Sequence, residues 1–115
     1  MSVALDPNDT IAAIASPPGP GLRGIVRLSG PAAIAIVLTD YIPDGKQVLP
    51  PPRARVSSGS LRVDGLRPLL PVMLAFWPAP RTYTGQDVVE VHLVGAMPLV
   101  NLVLAHCLGD RKSVV

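Results

Sequence analysis

The amino-acid sequence predicts an α+β domain: a mainly antiparallel sheet with two helices in the order β-β-α-β-β-β-α. Two observations lead there. Stretches with a period of two come in hairpin-like groups, not as strands alternating with helices, which argues against a parallel, doubly wound sheet. Two other segments, near residues 31–42 and 96–108, each carry a proline in the first turn of an apolar run, as helix starts do. At 115 residues the chain is long enough for a single core, so residues 1–115 are read as one domain.

The elements follow in order. Residues 1–8 read as a loose tail, and Asp9 and Thr10 lead into a first strand over 11–15 (IAAIA). A second strand is predicted over 24–28, because Ile25, Arg27 and Ser29 alternate with Val26 and Leu28. Pro31, behind Ser29 as the capping residue, opens a helix carried to about Ile42. Residues 43–52 (PDGKQVLPPP) read as an internal linker loop, since four prolines and a glycine suit no regular structure. A strand over 54–63 ends at the turn signal Asp64-Gly65. Residues 71–77 form an apolar central strand and 87–94 (DVVEVHLV) a fifth strand. The last helix runs over 96–108, with Gly109 at its C-terminal cap.

GPGLRG, residues 19–24, is a literal G-x-G-x-x-G. A dinucleotide site requires a helix opening on those glycines to hold the pyrophosphate. Here a strand follows instead, and Pro17, Pro18 and Pro20 remove amide donors that a phosphate cradle uses. The kinase version of the motif lies between strands, but no V-A-I-K, H-R-D or D-F-G follows. The stretch reads as a stiff connection between strands.

Composition bounds the function classes. Aromatics make up 3% of the chain and the formal charge is +2, with the basic residues scattered; nothing supports direct nucleic-acid binding by this chain alone. Cys107, the single cysteine, excludes an intramolecular disulfide and lies in an apolar helical run, as a buried structural thiol does. No signal peptide is visible, the apolar run over 69–77 is too short to span a bilayer, and a cytoplasmic protein is expected. Both helices are apolar round much of their surface, which points to an oligomer interface.

Glu90 is the only glutamate. Strand alternation places it on one face with Val88, His92 and Val94. Arg27 is likewise a lone charge in its strand. Either both face solvent on an open sheet, or Glu90 accepts hydrogen bonds from a ligand with paired N–H donors while Arg27 supports an acceptor or carboxylate. His92 and His106 share no metal spacing with each other or with Cys107, and they read as packing residues.

Four segments carry a family likeness: NDTIAAIASPPGPGLRGIVRLSGPAA, the strand ending LAFWPAP, RTYTGQDVVEV and MPLVNLVLAHCL. Together they make the chain resemble the N-terminal domain of the tRNA modification GTPases of the MnmE/TrmE family, over residues 8–108. The resemblance implies a fold similar to tetrahydrofolate-binding aminomethyltransferase-type domains. It also implies binding of 5-formyl-tetrahydrofolate, a homodimer, and wobble-uridine modification of tRNA together with a flavin-dependent partner protein. The family's folate-contacting arginine and glutamate fall on Arg27 and Glu90. The sequence departs from the family at Pro20, Leu22, Leu93, Val94 and Ala96, where larger residues replace glycines or a polar position is changed. Two readings therefore stand: a folate-binding and dimerising module, or a non-catalytic interaction module. No G-x-x-x-x-G-K-[ST] is present, so no GTP hydrolysis is expected of this chain, and it reads as a fragment or truncated relative of a longer GTPase.

Overall fold

The computed structural model describes residues 9–16, 21–79 and 85–109. Six strands form one sheet: β1 (Ile11–Ile14), β2 (Arg23–Ser29), β3 (Tyr41–Pro43), β4 (Arg55–Leu61), β5 (Leu70–Trp77) and β6 (Val88–Val94), joined by α1 (Ala33–Leu38) and α2 (Met97–Leu108). The strand order is β1-β2-β6-β5-β4-β3, and every neighbouring pair is antiparallel. The α+β class with an antiparallel sheet and two helices is the one the sequence predicts. Residues 17–20, which include the three prolines of the glycine loop, the tail over 1–8, the loop over 80–84 and residues 110–115 lie outside the described residues.

Alternation sorts the sheet into two faces. Gly24, Val26 and Leu28 of β2 lie beside Val89, Val91 and Leu93 of β6 and Leu74 and Phe76 of β5. These side chains are buried in one core with Ala33 and Val37 of α1 and Val100, Val103 and Cys107 of α2. Each fully buried Val or Leu contributes on the order of 1.5–3 kcal/mol, and this one-sided layer holds both helices against the sheet. Gly24 makes the packing of α2 possible: a Cβ there would collide with the Val100 side chain.

The structure adds a strand where the sequence predicts the end of a helix and the start of the linker. α1 stops at Leu38, and Tyr41–Pro43 pairs with β4, Tyr41 opposite Leu61. The reason is tertiary. Tyr41 is buried, its hydroxyl hydrogen-bonds Ser57 Oγ at 2.6 Å, and its ring occupies the space above Gly59 where a side chain would stand. The run AIAIVLT is rich in β-branched residues, which stabilise a helix weakly, so the edge pairing prevails. The predicted cap also moves. Ser29 stays in the β2 ladder opposite Val88, and Thr10 Oγ1 instead accepts the Ala32 N–H at 2.9 Å.

The large exposed apolar side chains do not sit on the helices. Among the described residues they are Leu22, Ile42, Val48, Val56, Leu69, Trp77 and Val94; Ile42, Val56, Trp77 and Val94 belong to the sheet face turned away from the helices. The helices keep Ile34, Ile36, Leu99, Leu102 and Leu104 half-buried against the core, so the apolar surface left on them is less exposed than that of the open sheet. No helix among the described residues is long and apolar enough to cross a membrane.

Candidate ligand site on the open sheet face

Arg27 and Glu90 come from strands 63 residues apart in sequence, yet they are direct partners in the β2–β6 register. Both point to the face that carries neither helix. Arg27 Nε donates to Glu90 Oε2 at 2.8 Å, and a terminal guanidinium nitrogen bonds the same oxygen. The other oxygen, Oε1, is held by His92 Nε2 at 2.8 Å. His92 is two residues further along β6, on the same face, opposite Ile25 on one side and Met73 on the other. The row through the charged pair runs Ala13, Arg27, Glu90, Ala75.

Burial pushes the Glu90 carboxyl up, but the hydrogen bonds and charges of Arg27 and His92 outweigh it and hold the group below the ordinary glutamate value. Glu90 is thus an ionised carboxylate on the open sheet face, 8% exposed. His92 Nδ1 is buried without a hydrogen-bond partner. Sequence reasoning placed His92 on this face but assigned it to packing; its i, i+2 relation to Glu90 was the available signal.

A cavity of about 290 Å³ opens on the far side of His92, walled by Leu22, Met73, His92 and Val94 with Arg23 at its edge. Arg23 makes no ion pair among the described residues. The family departures take definite places here. Leu93 turns into the core, Val94 stands on the open face half exposed, and Leu22 is fully exposed at the cavity. Ala96 is the N-terminal cap residue of α2. Pro20 lies outside the described residues. The glycine that remains, Gly95, lies where any side chain would run into the Gly21 carbonyl, so the loop before β2 packs against the turn after β6.

His106 does not approach this site. Its Nε2 lies 3.1 Å from Asp40 Oδ2, and its Nδ1 accepts the Asp64 amide at 3.1 Å. It ties the last turn of α2 to both ends of the segment holding β3 and β4. No group of three metal-ligating side chains occurs among the described residues.

Fold and site together define a small α+β domain whose open sheet face carries one carboxylate–guanidinium–imidazole cluster. The sequence profile described as GTP-binding protein TrmE N-terminus matches residues 10–113, and the chain belongs to that family as an N-terminal domain of the MnmE/TrmE type. It is 38% identical over 100 residues to the tRNA modification GTPase MnmE of Nitratidesulfovibrio vulgaris, covering 87% of this chain and 22% of that protein. It is 39% identical over 107 residues to the protein of that name from Stutzerimonas stutzeri, covering 91% and 22%. With the one from Listeria welshimeri the identity is 43% over 97 residues, covering 84% and 21%. The chain spans about a fifth of the length of these relatives.

Proposed function

We propose that this chain is the folate-binding and dimerising module of a tRNA modification GTPase system. The observation that carries the reading is the ionised, nearly buried Glu90 beside Arg27 on an open sheet face. A pterin ring presents adjacent N–H groups, and a carboxylate is the acceptor that takes them as a pair. Arg27 would then face an acceptor or carboxylate of the same ligand. When bound, 5-formyl-tetrahydrofolate supplies a one-carbon unit; the residues here bind and orient it, and no catalytic residue is assigned in this chain.

The fit is partial within one chain. A cavity of about 290 Å³ stands at the lower limit of ligand pockets, which run from roughly 300 to 1,000 Å³. It would take one part of a folate and leave the rest over the open face. Ile42, Val56, Trp77 and Val94, left exposed on this face, support the homodimer, because a second copy seated there would cover them. The flavin-dependent partner, contact with tRNA through the parent complex, and a cytoplasmic location belong to the same proposal and rest on the family.

The second reading, an interaction module without folate, is favoured by one observation: both Glu90 oxygens already have partners inside the chain. Calorimetric titration with 5-formyl-tetrahydrofolate separates the two. Saturable binding that Glu90→Gln weakens supports the first reading, and no binding by a folded dimer supports the second.

A further inference from the structure

Glu90 accepts three hydrogen bonds on two oxygens, two from Arg27 on Oε2 and one from His92 on Oε1. A carboxylate has about four lone-pair sites, so one remains, on Oε1. A ligand that donates a pair of N–H groups therefore needs one of the present partners to leave. The two partners are not equivalent. The Arg27 side chain is 53% exposed, and it is long, flexible and free to be solvated elsewhere. The His92 side chain is 14% exposed, has two rotatable bonds, and is packed between Ile25 and Met73. Its other nitrogen has no partner, so among the described residues the bond to Glu90 is the polar contact that sets the ring's orientation.

Resting on the ligand reading above, we propose that Arg27 is an exchangeable placeholder on Glu90, displaced by a ligand's paired N–H donors, while His92 stays and is the positioning residue that keeps the carboxylate aimed at the open face. A guanidinium is itself a flat group with adjacent N–H donors, so Arg27 occupies Glu90 with the chemistry its competitor would bring. The site is closed upon itself until such a donor arrives, and the freed Arg27 becomes available to an acceptor on that ligand. The charged and titratable groups on this face are Arg23 and Arg27 of β2 and Glu90 and His92 of β6. The facing residues of β1 (Ile11, Ala13) and β5 (Pro71, Met73, Ala75, Trp77) contribute none.

The test uses isocytosine, a flat ring with an amine and a ring N–H side by side and no carboxylate tail. Because Glu90 is the only glutamate, carboxyl labelling of glutamate gives one NMR signal. Isocytosine should shift that signal saturably and move the Arg27 Nε–H resonance, leaving the His92 Nε2 signal in its hydrogen-bonded position. Arg27→Ala should bind the probe as well as wild type or better. His92→Leu should bind it about tenfold more weakly, and His92→Gln, whose amide can donate from the same place, should recover most of the loss. In the ligand-free protein His92→Leu should raise the titration midpoint of the Glu90 signal, and His92→Gln should restore it. The proposal is overturned if isocytosine fails to bind at its solubility limit, if Arg27 stays on Glu90 in the complex, or if His92→Leu matches wild type in both measurements. Its failure is distinct from that of the folate reading. Binding of isocytosine without binding of 5-formyl-tetrahydrofolate sinks only the folate reading, and folate binding with Arg27 still on Glu90 sinks only the exchange.

Discussion

Arg27 and Glu90 face each other across the β2–β6 ladder, and the carboxylate they share with His92 is, among the described strand residues, the only acidic side chain on the open face. An ionised group this far from water persists because its hydrogen bonds outweigh its desolvation. Its carboxyl sits below the ordinary glutamate value in the folded chain, so the unfolded chain binds more protons in the interval between the two values. Stability from Glu90 is therefore present above the unfolded value and lost as pH falls through the folded one. Thermal melts followed downward from about pH 6 should show a falling midpoint, and Glu90→Gln should remove part of that slope. An unchanged slope in the variant would place the acid sensitivity elsewhere.

Gly24 offers a sharper test of packing. A methyl there meets the Val100 side chain, and overpacking a tight core costs about 1–3 kcal/mol. Gly24→Ala should lower the melting temperature by roughly 5–15 °C for a domain of this size. Adding Val100→Ala should return part of it, because the second change vacates the space the first one needs. Additive losses in the double variant would mean that the strain lies in the backbone of β2.

How much of this was legible in the sequence follows from which forces decide each element. The strands of the central sheet were, because Val and Ile at alternate positions report burial on one face directly. The isolation of Glu90 and Arg27 was too, since a charge in an apolar strand is visible without knowing the partner strand. Their mutual bond was not: it depends on a register between strands 63 residues apart. β3 was hidden because Tyr41 and Ile42 continue an apolar run, and only the place above Gly59 and the Ser57 hydroxyl pull Tyr41 into the sheet. Thr10 was hidden as a cap for the same reason, acting on Ala32 from 22 residues away.

His106 joins elements that share little else. It accepts the Asp64 amide and contacts Asp40, so its loss should loosen the turn at Asp64-Gly65 before it unfolds the core. His106→Leu keeps a side chain of similar bulk at this position of α2 and removes both polar contacts, at a cost of about 1–2 kcal/mol. Hydrogen exchange should show the Asp64 amide losing protection while amides in β6 keep theirs. Equal loss across the domain would instead assign His106 to global stability.

The glycine motif yields a negative prediction. Gly24 of GPGLRG lies inside β2, so among the described residues a strand and not a helix follows the motif. A phosphate cradle requires convergent amide donors at a helix start. Titration with GTP should give no saturable signal, in contrast to a folate titration run on the same sample.

The open sheet face predicts how copies of this chain meet. Ile42, Val56, Trp77 and Val94 expose apolar surface at separate points of the sheet face that neither helix covers, and large apolar side chains left exposed on one face mark an interaction site. Trp77 is the only tryptophan, so its emission reports on that face alone. Sedimentation at tens of micromolar should show a dimer, with blue-shifted Trp77 emission that moves to the red on dilution. Val56→Glu places a charge on the exposed face without entering the core, and should convert the dimer to a folded monomer with red-shifted emission. A dimer that tolerates Val56→Glu and Val94→Glu together would place the interface on the helices instead, and the apolar sheet face would then need a different occupant.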